Sequence, residues 1–356
     1  MDRTVVMPLH YQDLRITREM LAMISELDEF KGAWRSLSAL APDRLAALRK
    51  VATIESIGSS TRIEGARVSD REVESLLGRL ETHSFQSRDE EEVAGYAEAM
   101  DVVFMSYDDI PLTENHIKQI HGILLRYSRK DDHHRGRYKA LSNNVEAFDA
   151  DGKSLGVIFQ TASPFETPLR MRELVTSIQV TLTEINLHPL LAIAVFVVVF
   201  LAIHPFQDGN GRLSRILTTL LLLKAGYTHV PYSSLESVIE TNKESYYLAL
   251  RRTQITLEQA QPDWEPWILF FLRSLQNQKR KLEDKLGREK LMAGDLPLLG
   301  QVVLDLVKRH GRISIGEIER ATSESRSTIK LRLNELLRKG ILVRHGKGRS
   351  TWYTQA

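Results

Sequence analysis

Among its 356 residues the chain has no cysteine. That excludes disulfides, thiolate metal centres and a cysteine nucleophile, and makes a reducing cytoplasm the expected home. The opening residues, MDRTVVMPLHYQDLR, carry no apolar core behind basic residues, so no secretory leader is expected. There is no fixed-period repeat and no low-complexity tract, which sets aside solenoids and arrays. A membrane-spanning run is missing too. Leu190 to Ile203 (LLAIAVFVVVFLAI) is apolar throughout, but it is shorter than the ~20 residues a spanning helix requires. A helix apolar on all sides and too short to span is expected in a protein core, so no membrane partner is expected.

What is present fits a globular protein of two or three domains, with 42% apolar and 26% charged residues. The formal charge of +2 conceals an asymmetry. From Asp295 to the C-terminus there are twelve Lys/Arg against six Asp/Glu, a net of +6, so the remainder carries −4. A mildly acidic body with a basic tail suggests a different partner for each.

Helical spacing of apolar residues dominates the first 110 residues, with one candidate helix over about 43–65. The character changes after Lys139. NNVEAFDADGKSLGVIFQTASP places an Asp151-Gly152 turn between runs rich in Val, Ile and Phe, the pattern of a β-hairpin. Helical spacing returns from Leu169 to about Leu275, and the mixed-charge stretch Gln276 to Lys290 reads as a solvated connecting helix. Three short helical segments follow (Gln301–His310, Ile315–Ala321, Ser325–Lys339), then ILVRHGKGRSTWYT alternates around Gly346-Lys347-Gly348. Three helices and a hairpin make the plan of a winged helix-turn-helix. The expected fold class is mainly α with small β additions. The expected divisions are 1–110, a helical region; 111–275, a core; 276–294, a connector; and 295–356, the winged domain.

The apolar segment leads directly into HPFQDGNGRLSR, His204 to Arg215. Pro205 fits a turn, Gly209 and Gly211 permit close backbone approach, and a strong helical run follows from Ile216. A tight loop that opens a helix points free amides and a positive dipole end at one spot, which makes an anion site. Arg212 and Arg215 share a helical face and can both reach phosphate oxygens. Asp208 offers the hard carboxylate that phosphate-bound Mg²⁺ prefers, and His204 is a candidate base beside it. A Walker loop would need Gly-Lys-Ser/Thr, and GxGxxG fails because Ser214 occupies its third glycine position.

These residues resemble the signature of the Fic family, HPFx[D/E]GN[G/K]RxxR, at every fixed position: His204, Pro205, Phe206, Asp208, Gly209, Asn210, Gly211, Arg212 and Arg215. The resemblance extends over roughly Ala22 to Leu275 and implies a Fic-type helical core with a hairpin flap. It implies a protein adenylyltransferase, with ATP as co-substrate and Mg²⁺ as cofactor. His204 would deprotonate the target hydroxyl for attack on the α-phosphate, and Asp208 would hold Mg²⁺. Asn210, the amides of Gly209 to Gly211, and Arg212 would cradle phosphate, while Phe206 packs the loop. Gly156, Val157, Ile158 and Phe159 resemble the flap strand that pairs with a target protein. Tyr246 and Gln254 resemble adenine and ribose contacts, although relatives often have Asn where Gln254 stands.

Ser60-Thr61-Arg62-Ile63-Glu64-Gly65 fits [S/T]xxxE[G/N]. On a helix Ser60 and Glu64 share a face, and Gly65 would end it. Beside the motif, the resemblance implies an N-terminal inhibitory helix whose Glu64 pairs with Arg215 and obstructs the γ-phosphate. The expected function is therefore AMP transfer to a protein hydroxyl, the chain's own included, held back by Glu64. Two alternatives stay open: a DNA-binding regulator with a nucleotide-sensing core, and an AMP-removing enzyme in which Glu64 activates water. Residues 295–356 would dock DNA or protein, with Arg326, Lys330, Arg332, Arg338, Lys339, Arg344, Lys347 and Arg349 set against Glu335. A homodimer is compatible with either use.

Overall fold

The structure is a computed structural model that describes residues 14–38, 42–80, 84–148, 154–183, 187–294, 298–322, 324–338, 340–346, 348 and 351–355. Among these, the chain is mainly helical, with two antiparallel two-stranded hairpins. It divides into two compact units, Met1–Leu282 and Glu283–Ala356, each with its own apolar core.

The larger unit opens with α1 (Arg18–Ser38), α2 (Pro42–Ile63), α3 (Asp70–Leu77), α4 (Arg88–Ser106) and α5 (Glu114–Leu124). A hairpin of β1 (Val145–Phe148) and β2 (Ser154–Phe159) interrupts the helices. Its register pairs Val145 with Phe159 and Phe148 with Ser154. The Asp151-Gly152 turn lies outside the described residues. Then come α6 (Thr167–Thr183), α7 (Pro189–Ile203), α8 (Asn210–Lys224), α9 (Leu235–Thr241), α10 (Lys243–Gln254) and α11 (Glu265–Gly294), of which the part up to Leu282 belongs to this unit.

Helix α7 is the axis of this unit. Pro189 stands in its first turn, where a missing amide costs nothing, and the His188 Nδ1 caps the Leu190 amide at 3.3 Å. From Leu190 to Phe196 no side chain keeps any exposed surface. At roughly 1.5–3 kcal/mol per large apolar side chain, such burial outweighs the modest helix propensity of its Val and Ile residues. Helices α6, α8 and α10 pack around it. No described helix is long and apolar enough to cross a membrane. Helix α11 runs unbroken through the boundary expected at Leu275, because Leu282 extends its buried stripe among polar neighbours.

The smaller unit contains α12 (Leu298–His310), α13 (Ile315–Thr322) and α14 (Arg326–Arg338), followed by β3 (Leu342–His345) and β4 (Trp352–Gln355). Val303, Val307, Ile318, Ile329, Leu333 and Leu336 close its core at helical spacing. Lys339, Lys347 and Arg349 lie outside the described residues.

Candidate active site

The end of α7 carries the first reactive side chain. His204 has φ 52° and ψ 59° and is the sole non-glycine residue with positive φ among those described. A left-handed histidine stores strain, and such strain concentrates where geometry matters more than stability. Its Nδ1 lies 3.3 Å from the Leu201 carbonyl, which can only accept, so the proton is on Nδ1 and the Nε2 lone pair is free. Burial pushes its pKa down to about 4. The half-buried ring is thus a neutral base at physiological pH.

The loop between α7 and α8 is braced from within. Asn210 accepts the Phe206 amide at 2.9 Å and donates to the Phe206 carbonyl at 2.7 Å, so both ends of its amide are committed to the loop backbone. The resemblance had implied phosphate contact for this side chain; its observed partners are the backbone groups of Phe206. From α5, the fully buried His121 accepts the Gly136 amide at Nδ1 and donates from Nε2 to the Asp208 carbonyl, both at 3.0 Å. Its ring stacks on Phe206 at 3.8 Å. The loop then opens α8, whose first amides (Asn210, Gly211 and Arg212) have no acceptor within the helix. Three donors and the positive end of the helix dipole at one spot favour an anion there.

A carboxylate of the chain itself reaches that site. Helix α2 ends in a Schellman motif, with Ala66 N–H on the Thr61 carbonyl and Gly65 N–H on the Arg62 carbonyl, and Gly65 supplies the required φ of 104°. Glu64 therefore stands one residue beyond the helix. Arg62 fixes this end by a two-pronged pair with Glu240 on α9 (2.6 and 3.0 Å) and a 2.9 Å bond to Asp70. Glu64 Oε1 then lies 2.7 Å from Arg215 Nη2, and Ser60 accepts from the same guanidinium through its hydroxyl (2.8 Å) and its carbonyl (2.9 Å). The Glu64 carboxylate crosses so close to Gly211 that a Cβ there would collide with it. Burial pushes the Glu64 pKa up, but Arg215, with Arg212 and His204, outweighs it and holds the carboxyl below its ordinary value.

Helix α4 engages the remaining charges. Glu92 pairs with Arg212 at 3.0 Å, and Arg88 pairs with Asp208 at 3.0 Å. Burial raises the Glu92 pKa despite both arginines. Asp208 is pulled below its ordinary value, since Arg212, the Gly209 amide and Arg88 overcome its burial. Arg88, Glu92 and His121 escaped sequence reasoning, because pairs 87 or 120 residues apart leave no periodic trace.

No three His, Asp or Glu side chains cluster as a metal cage among the described residues. Asp208 faces the loop as a single carboxylate, which suits an ion that brings most of its own oxygens. Mg²⁺ carried by a polyphosphate is such an ion.

Residues 111–222 match the Fic/DOC family. They form a Fic domain. A relative named "Probable protein adenylyltransferase" from Aquifex aeolicus (strain VF5) is 30% identical over 99 residues, a stretch that is 28% of this chain and 28% of the relative's length. Among solved structures, a Fic family protein from Desulfovibrio desulfuricans G20 aligns with a TM-score of 0.63 at 22% identity, covering 97% of this chain and 98% of that one. A Fic domain containing signaling protein from Bacteroides thetaiotaomicron VPI-5482 aligns at 0.56 and 25% identity, covering 71% of this chain and 94% of that one. The mainly helical Fic fold is therefore shared with these proteins.

The residues expected for the base, the ribose and the flap are distributed differently. Gln254 and Phe159 line one cavity of about 540 Å³, together with Thr161, Ile203 and Trp264. Tyr246 is 3% exposed and packs edge-on against Trp267, so its ring belongs to the core of the Fic domain's flank. Its neighbour Tyr247 presents the exposed ring on α10.

Proposed function

We propose that the chain transfers AMP from ATP to a hydroxyl side chain of a protein, itself included, and that Glu64 holds this activity down. The observation that carries the reading is the convergence, at one helix N-terminus, of a free imidazole Nε2 (His204), two buried arginines (Arg212, Arg215) and one ionised carboxylate (Asp208). The Fic domain supports AMP transfer in general.

The acceptor oxygen attacks the α-phosphorus, the bond to the oxygen bridging to the β-phosphate breaks, and pyrophosphate departs. His204 Nε2 takes the acceptor's proton as that bond forms. The α8 amides and Arg212 bind phosphate oxygens and stabilise charge that gathers in the transition state. Asp208 would hold Mg²⁺, which supplies neutralisation of phosphate charge when bound. Arg215 takes the γ-phosphate once Glu64 leaves it. Gln254 and the cavity beside Phe159 accept the base and ribose. Among the described residues strand β2 has a partner on one side only, and its free edge at Gly156 to Phe159 offers backbone groups to a strand of the target.

The smaller unit takes duplex DNA as a winged helix in this reading. Arg326, Lys330 and Arg338 are exposed on α14, with Arg344 exposed on β3, while Arg332 is paired with Glu335. Such a surface fits phosphate backbone contact.

The test uses ATP labelled on either the α- or the γ-phosphate. Label from the α-phosphate should enter the protein and label from the γ-phosphate should not. Incorporation from the γ-phosphate would replace this reading with phosphoryl transfer.

A further inference from the structure

Two pieces of the proposed machinery belong to separate elements. The base hangs from the end of α7, and the strand that would present the acceptor belongs to the β1–β2 hairpin. One side chain joins them. Lys139 is 3% exposed, and its ammonium meets the Ile203 carbonyl at the end of α7 (3.0 Å), the Thr161 hydroxyl just after β2 (2.9 Å) and the Asn143 side-chain Oδ1 just before β1 (2.8 Å). Its own amide donates to the Pro205 carbonyl at 2.9 Å. Asn143 passes the connection on, donating to the Phe206 carbonyl at 2.6 Å. Asn144 accepts the Thr161 amide at 3.2 Å, closing the foot of the hairpin.

The chemistry of this joint is unusual. An ammonium has three protons, and here three neutral oxygens take them. No carboxylate of the described residues stands within ion-pair distance of Lys139, and Glu166 acts on it only through space. Burying a charge without a counter-ion is costly, and an apolar side chain would fill the space more cheaply if filling were all that was required. Burial pushes the Lys139 pKa down to about 8, which still leaves it charged near neutrality. Its charge also faces His204, opposed there by Glu64 and Asp208, and helps to keep the imidazole neutral.

We propose that Lys139 is a positioning residue: it locks the His204 turn to the foot of the hairpin, so that base and acceptor strand move as one body. This rests on the AMP-transfer reading for its functional half. The structural half stands alone and is tested alone.

The experiment compares Lys139→Met and Thr161→Val with their parent, all in a Glu64→Gly background. Hydrogen exchange of the amides of 145–148 and 154–159 should quicken in both variants, while the amides of α8 keep their protection. ATP affinity of Lys139→Met by calorimetry should stay within about twofold, and self-modification of both variants should slow by on the order of 10²-fold, as for a reacting group displaced by about an ångström. Thr161→Ser, which keeps the oxygen, should restore the parental rate. The double variant should be no slower than the worse single one, because both remove one joint. If Lys139→Met also exposes α8, the near-isosteric Thr161→Val decides. Unchanged hairpin exchange in that variant overturns the lock. Quickened exchange with an unchanged self-modification rate overturns the positioning role. A parent that transfers no AMP defeats the underlying activity instead, and leaves the exchange result to be read by itself.

Discussion

Glu64 Oε1 stands 2.7 Å from Arg215 Nη2, and the carboxylate that makes this pair also crosses Gly211 at the head of α8. One acidic group thereby pairs with the cation and lies against Gly211 in the first turn of α8. Among the described residues Arg215 Nη1, which is buried, has no hydrogen-bond partner, and the buried Arg212 Nε is in the same condition. Buried donors of this kind are costly, and an incoming anion would satisfy them.

His204→Ala is expected to abolish transfer, below about 10⁻² of the parental rate, with ATP binding largely intact. In the proposed mechanism the amides and arginines bind phosphate, whereas His204 handles the proton. Calorimetry showing lost ATP binding would assign the residue a structural role. The pH profile should agree, with the acid limb of the rate falling near the depressed pKa of about 4 and not near the ordinary 6.5.

Acid should destabilise the larger unit. His121 and His229 are buried, and burial lowers each from 6.5 to about 4. The unfolded chain therefore binds protons that the folded one refuses. The stability present above pH 6.5 is lost as pH falls toward 4, by about 3 kcal/mol for each ring. Urea midpoints measured at pH 7 and pH 4.5 check this, and a pH-independent midpoint would contradict it.

The tail should bind duplex DNA with steep salt dependence, and Lys330→Glu with Arg326→Glu should weaken binding at least about tenfold at low salt. Fluorescence anisotropy of the whole protein with a labelled duplex measures this. Self-association through α14 without DNA binding would favour protein docking.

Much of this site was legible in the sequence because its parts are local. His204 to Arg215 occupies one loop and one helical turn, and an apolar run of fourteen residues has no stable place except a core. Glu64 and Arg215 are 151 residues apart, and the Ser60–Glu64 spacing with Gly65 marked the segment only when set beside the Fic-like motif of His204 to Arg215. The partners on α4 and α5 were hidden, since Arg88, Glu92 and His121 gain meaning only when those helices pack on α8. Asn210 was legible as a site residue but not as a brace, because its bonds to Phe206 depend on the loop's turn. The α11 boundary blurred because a helix can continue through a change in burial without a change in backbone.

Arg215→Ala is expected to leave self-modification low, because it removes the γ-phosphate contact together with the inhibitory pair. The double variant with Glu64→Gly should behave like Arg215→Ala. A double variant as active as Glu64→Gly alone would show that Arg215 does not serve the nucleotide.

The most direct measurement is intact-mass spectrometry of the wild-type protein and Glu64→Gly after incubation with ATP and Mg²⁺. Freeing Arg215 and the α8 amides lets the α-phosphate align, and misalignment by about 1 Å costs on the order of 10²-fold. The Glu64→Gly protein should therefore gain the mass of AMP at least about 10²-fold faster than wild type. A folded Glu64→Gly protein that modifies itself no faster than wild type would contradict inhibition by Glu64. A slower one that also fails to remove AMP from a modified chain, where wild type succeeds, would assign Glu64 to the reverse chemistry.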